Sequence, residues 1–188
     1  MTMALLGIFG TVAILQGFIL DANGSTSVTL RLPADSVRSM MQQVCVLERH
    51  MPGVVGIEPS GQVDAFTYRT VREIPFSGEM RTDFQIRRVV DPDGSIVYRT
   101  TDNAAANWMS FRFKVTPAGD HATELTMTLR VRLVRENGTA IHILAPVLGE
   151  EFLSEQMERD ITGMLSTFAE RLITMSEGSI SCGDRDAR

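Results

Sequence analysis

Residues 153–175, LSEQMERDITGMLSTFAERLITM, decide how this chain folds. Leu153, Met157, Ile161, Met164, Phe168, Leu172 and Met175 recur at intervals of three or four, which draws one apolar stripe along a helix of period 3.6. Glu155, Glu158, Arg159, Thr162, Ser166 and Glu170 fall on the opposite face. A helix with such a stripe needs a broad apolar surface to lie against.

The residues before it offer that surface. Met80, Phe84 and Ile86 alternate with Arg81, Asp83, Gln85 and Arg87 between Glu79 and Val90. Met109, Phe111, Phe113 and Val115 alternate with Ser110, Arg112 and Lys114. Leu125, Met127, Leu129, Val131 and Leu133 alternate with Thr126, Thr128, Arg130 and Arg132. Period-two alternation of this kind belongs to antiparallel sheets with one solvated face. Shorter strand stretches run over Val54–Glu58, over Val63–Ile74 with Phe66 and Tyr68 on one face, and over Ser95–Thr101 with Ile96 and Tyr98 on one side. Asp91-Pro92-Asp93-Gly94 is the strongest turn signal, and Pro117–Asp120 and Glu136-Asn137-Gly138 read as further turns.

Upstream, Val28, Leu30 and Leu32 read as a first strand after a polar break at Asp21–Thr26. Pro33 ends it, and Asp35 or Ser36 is placed to cap a helix whose face is Val37, Met40, Met41, Val44 and Leu47. Met51-Pro52-Gly53 stops that helix. Pro146 suits the first turn of the long helix.

Residues 3–20 carry no charge. As a helix they would span about 27 Å, just short of a hydrocarbon core of roughly 30 Å. They read as a membrane anchor, as a secretory signal without a basic start or a clear cleavage site, or as an apolar extension packed on the domain. The organisation expected is an apolar segment over 1–24, one domain over 25–176, and a polar, disordered tail over 177–188.

Composition narrows the function. The chain has 188 residues, is 44% hydrophobic, and carries a formal net charge of −5. An acidic chain of this kind is not a general nucleic-acid binder. Cys45 and Cys182 stand far apart and fit neither a disulfide framework nor a metal spacing. His50, His121 and His142 are isolated, and each reads as solvated or structurally bonded. No phosphate loop, dinucleotide fingerprint or metal motif is present, so no cofactor or metal is expected. Arg81, Arg87, Arg99, Arg112, Lys114, Arg130 and Arg132 share the solvated side of the strands. Together they read as a basic face for an anionic membrane surface or acidic partner, or as plain solvated sheet.

The order strand, short helical segment, six strands, long helix resembles the START-like, or SRPBCC, superfamily over about residues 26–176. Leu32-Pro33-Ala34-Asp35 resembles the strand-to-helix entry of these proteins. His50–Glu58, HMPGVVGIE, resembles a Pro-Gly word of the superfamily's carbon monoxide dehydrogenase branch, and Gly78-Glu79-Met80 falls where a strand often starts on a small residue. The resemblance implies an α+β helix-grip fold: a curved seven-stranded antiparallel sheet wrapped around the C-terminal helix. It also implies a cavity between sheet and helix. Members bind lipids, sterols, polyketides, quinones or plant hormones, and a minority are cyclases or dehydratases.

The inward candidates for such a cavity are Phe66, Tyr68, Phe84, Ile86, Tyr98, Phe111, Phe113, Met127 and Leu129, facing Met157, Ile161, Met164 and Phe168. These side chains either line a ligand site or fill it. Arg72 and Arg88 share the inward parity, and a β-bulge turning each outward is the favoured arrangement. Gly163 is placed to admit a close approach to the helix, or is simply tolerated. With nearly all inward positions apolar, no catalytic residue is assigned. The sequence favours a non-catalytic carrier or sensor of a hydrophobic molecule, cytoplasmic or held at a membrane through residues 3–20. A polyketide cyclase or dehydratase and a filled interaction module remain as alternatives, and the oligomeric state is open.

Overall fold

The computed structural model describes residues 17–74, 78–102, 105–135 and 144–176. The apolar residues before Gly17, the Glu136-Asn137-Gly138 turn, His142, Cys182 and the tail from 177 lie outside them. Strands β1 (Phe18–Leu30), β2 (Val54–Pro59), β3 (Ala65–Ile74), β4 (Gly78–Val90), β5 (Ile96–Thr100), β6 (Trp108–Gly119) and β7 (Ala122–Arg135) form one sheet. It is seven-stranded, in the order β1-β7-β6-β5-β4-β3-β2, with every neighbour antiparallel. Helices α1 (Ala34–Gln42) and α2 (Val44–His50) follow β1, and α3 (Ala145–Ser176) lies across the inner face. This is the helix-grip fold that the alternation and the stripe predict.

The apolar stripe of α3 goes inward. Leu153, Met157, Ile161, Phe168 and Leu172 are buried, and each such side chain contributes about 1.5–3 kcal/mol by leaving water. Leu165 and Ala169 are buried too, so the stripe is wider than the three-and-four spacing alone draws it. Met164 and Met175 are half-buried on its flanks. The helix is broken at Gly149, whose φ of 79° and ψ of 166° are not helical. Glycine meets the positive φ without a Cβ clash.

Several local expectations are corrected. The first strand begins at Phe18, so Asp21–Thr26 is not a break but the middle of β1. Its register against β7 is unbroken from Phe18↔Arg135 to Leu30↔Thr123. Leu20, Ala22 and Gly24 point inward while Asp21, Asn23 and Ser25 point out, where Asp21 pairs with Arg132 at 2.8 Å. The polar letters belong to the solvated side of a strand whose inner side is small. The helical segment after β1 is two helices, parted at Gln43 by an extended φ/ψ of −83°/113°. Neither Asp35 nor Ser36 caps it. The capping position is Pro33, without a side-chain bond, and Asp35 instead binds Arg38 at 2.8 Å within the first turns. Pro117 and Ala118 lie inside β6, and the register against β7 shifts between Pro117 and Gly119. Such an irregularity accommodates a residue without an N–H.

Candidate functional site

The interior between sheet and α3 divides into a filled half and an open half. On the filled side, α1 and α2 close over β5, β6 and β7. The ring of Phe111 lies 4.2 Å from that of Phe113 and 6.4 Å from that of Phe168, and Tyr98 meets Phe113 edge-on at 6.1 Å. The Tyr98 hydroxyl donates to the Met41 carbonyl at 2.9 Å, tying β5 to α1. Met127 and Ile86 complete this packing with Met40, Met41 and Leu47, all essentially without solvent exposure. Phe66, half-buried on β3, packs against the same core.

The open half is a cavity of about 270 Å³. It lies between β3, β4, β6 and β7 on one side and the middle of α3 on the other. Of the predicted cavity residues, the structure brings Tyr68, Phe84, Leu129, Met157, Ile161 and Met164 to its wall. Phe66, Ile86, Tyr98, Phe111, Phe113, Met127 and Phe168 are not on that wall and belong to the filled packing. Sequence reasoning missed Met80, Thr82, Met109, Val131, Leu133, Thr70 and the Pro52-Gly53 link. The signal was there: positions 68, 70 and 72, 80, 82 and 84, and 129, 131 and 133 continue the inward parity of their strands toward the same end of the sheet.

Polar groups stand at defined places on this apolar wall. Tyr68 is a buried residue, and its hydroxyl has no hydrogen-bond partner among the described residues. No fully enclosed side-chain oxygen or nitrogen among those residues lacks a partner, so the Tyr68 hydroxyl is one that opens onto the cavity. Burial of the ring pushes its ionisation far above the ordinary tyrosine range, so it is a neutral hydroxyl. The Thr70 hydroxyl donates to the Thr82 carbonyl at 3.1 Å. The Thr82 hydroxyl accepts from the Arg135 guanidinium at 2.9 Å, and Arg135 also donates to Asn107 Oδ1 at 2.8 Å.

Arg72 reaches from β3 to an ion pair with Asp160 on α3, beside the Pro52-Gly53 link. The register of β3 on β4 runs without a shift from Ala65↔Arg87 to Ile74↔Gly78, so no bulge turns Arg72 outward. The same is true of Arg88, opposite Tyr98 in an unshifted β4–β5 pair. Arg88 binds the Asp64 carboxylate and the Gln42 carbonyl, tying the sheet to the end of α1. Both expected bulges are therefore absent, because each inward guanidinium finds a carboxylate to compensate its burial. Desolvation lowers the pKa of Arg72, and the arginine remains a cation.

Other expectations resolve simply. Gly163 is exposed, with nothing near a Cβ built there, so it is tolerated rather than required. The close approach is at Gly24, where a Cβ would meet Ile161 Cγ2 at 2.6 Å. His50 lies away from the cavity wall, with its carbonyl accepting from Arg171 at 2.9 Å. Cys45 is disulfide-bonded, against the expectation of no disulfide; spacing along a chain does not report proximity in a fold. No cluster of His, Cys, Asp and Glu able to hold a metal occurs among the described residues. No helix among them is long and apolar enough to cross a membrane.

Comparison with solved structures places this fold among known ones. The Zhui aromatase/cyclase from Streptomyces sp. R1128 superposes with a TM-score of 0.60 at 18% identity, covering 84% of this chain and 94% of that one. A START superfamily protein from Mycobacterium smegmatis gives 0.57 at 15% identity, covering 81% and 97%. The di-domain ARO/CYC StfQ from the steffimycin biosynthetic pathway gives 0.55 at 13%, covering 85% of this chain and 51% of that one. At these identities the likeness speaks for the fold. No curated protein matches the sequence. The family model for polyketide cyclase / dehydrase and lipid transport matches residues 21–172, from the inner half of β1 to the end of the α3 stripe. Within the START-like superfamily, this chain belongs to the polyketide cyclase / dehydrase and lipid transport family.

Proposed function

We propose that this chain binds a hydrophobic small molecule with a polar end in the cavity between β3, β4, β6, β7 and α3. The observation that carries the reading is Tyr68: a hydroxyl without a protein partner, opening onto about 270 Å³ of otherwise apolar space. A wholly apolar ligand would seal that hydroxyl away unbonded, at a cost of about 1–3 kcal/mol, whereas a ligand oxygen or nitrogen there avoids the loss. The apolar wall contributes about 25 cal/mol per Å² of ligand surface covered, before ordering costs. A lipid-like, quinone-like or polyketide-like body suits that wall, with a keto or hydroxyl group toward Tyr68.

The test is native mass spectrometry of the gently purified chain, before and after incubation with a lipid extract, followed by identification of what dissociates. Met164→Trp places a large side chain on the cavity wall and is expected to abolish uptake while the chain stays folded. Uptake by Met164→Trp equal to that of the parent chain overturns the reading.

The Arg72–Asp160 pair supports a second reading, a cyclase or dehydratase. A cation beside the cavity stabilises an enolate oxygen, and a carboxylate moves the proton. That reading predicts turnover of a poly-β-ketone substrate mimic that is lost in Asp160→Asn with binding kept. Binding without turnover in the parent chain leaves the carrier.

A further inference from the structure

We propose that the outer face of the sheet is a docking site for an acidic helical segment of a protein partner, built on Arg87, Arg99 and Arg130. The outward arginines of the sheet divide into two sets. Arg69, Arg81, Arg112 and Arg132 each hold a carboxylate: Glu58 and Asp83, Glu79, Asp91 and Asp93, and Asp21 respectively. Arg99 and Arg130 have no partner among the described residues, and Arg87 has only the neutral Gln62 amide oxygen at 3.0 Å.

These three stand in one row across the sheet. The register pairs Arg87 with Arg99, Arg99 with Ser110, and Ser110 with Arg130. Like charges directly opposite on paired strands destabilise a sheet. Here that arrangement persists in a chain with a net charge of −5, where carboxylates compensate the rows on either side.

The geometry selects the kind of partner. Neighbouring strands are about 4.8 Å apart, so the row places cationic positions at intervals of about 5–10 Å along roughly 15 Å. Acidic residues three or four apart on a helix are about 5–6 Å apart on one face, which matches that spacing. Trp108, half-buried and opposite Arg132, flanks the row and gives such a helix an apolar contact. An anionic membrane fits less well. The row is narrow, and a flat membrane surface laid on it also meets Asp21, Asp91 and Asp93 in the flanking rows. This face is turned away from the cavity, so the inference stands apart from the ligand reading.

The test uses the full chain and a fluorescein-labelled helical peptide with glutamate at every third or fourth position, followed by anisotropy at low salt. The expected result is binding that weakens steeply with added salt and at least about tenfold in Arg99→Glu with Arg130→Glu. Arg38→Glu with Arg81→Glu makes the same change of net charge off the row and is expected to keep the affinity within about twofold. Thermal melting verifies that both variants are folded, and Arg99→Gln with Arg130→Gln replaces the reversal if it is not. An equal loss in the off-row control overturns the proposal. So does parent chain that ignores the peptide, or that sediments with phosphatidylserine vesicles in preference to binding it.

Discussion

Substituting Gly24 tests the packing that positions α3 over the sheet. The backbone there is ordinary extended strand, so alanine meets no φ penalty. What it meets is α3: a Cβ would sit 2.6 Å from Ile161 Cγ2, 3.3 Å from Ile161 Cβ and 3.2 Å from Thr162 Oγ1. Helix or strand must retreat by roughly 1 Å to restore van der Waals contact, and overpacking of this kind costs about 1–3 kcal/mol. Loss of unfolded-chain freedom on replacing glycine offsets about 0.4–1 kcal/mol. Gly24→Ala is therefore expected to destabilise by about 1–2 kcal/mol, lowering Tm by about 3–6 °C. Ile161→Ala alone is expected to cost about 2–5 kcal/mol. Because it removes the opposing methyl, the double variant should be more stable than the two single effects summed, by about 1 kcal/mol. Urea unfolding followed by Trp108 fluorescence measures all three. A neutral or stabilising Gly24→Ala, or strict additivity with Ile161→Ala, refutes the close-approach account.

Further outcomes follow from the two tyrosines and the inward ion pair. Tyr98→Phe leaves the Met41 carbonyl without its donor and should cost about 1–3 kcal/mol in urea unfolding, whereas Tyr68→Phe removes an unbonded hydroxyl and should leave stability within about 0.5 kcal/mol. Burial pushes Tyr98 from 10.0 up to about 12, so the unfolded chain releases its proton first and stability falls as pH rises above 10, by up to about 1.4 kcal/mol per unit from this group until the folded hydroxyl ionises. Tyr98→Phe should shallow the slope of stability on pH by that amount in denaturation between pH 10 and 12, and an unchanged slope removes the assignment. Arg72→Met breaks a half-exposed pair, so stability should move by no more than about 1 kcal/mol while uptake of molecules with a polar end weakens and that of pure hydrocarbons does not. Equal weakening of both classes in a binding titration argues against a role for Arg72 in selecting ligands.

The sequence alone determined the elements and their faces. Period-two alternation in β4, β6 and β7 and the three-and-four spacing of α3 are local properties, and each names its own inward residues without knowledge of the neighbours. The resemblance in element order then supplied the grip of sheet on helix. Which inward residues pack together and which leave space is not local. Phe111 and Phe113 look like cavity residues as much as Phe84 and Leu129 do, but α1 and α2 press on their end of the sheet and close it. Only the tertiary arrangement separates the two groups. It also reversed the expectations for the Asn23-Gly24 pair, a turn signal in isolation but here a gap cut for Ile161, and for Arg72, which can face inward because Asp160 comes from the far side of the fold. A residue's own neighbours fix its conformational preference, whereas burial of a charge or omission of a side chain depends on what another element brings within a few ångströms.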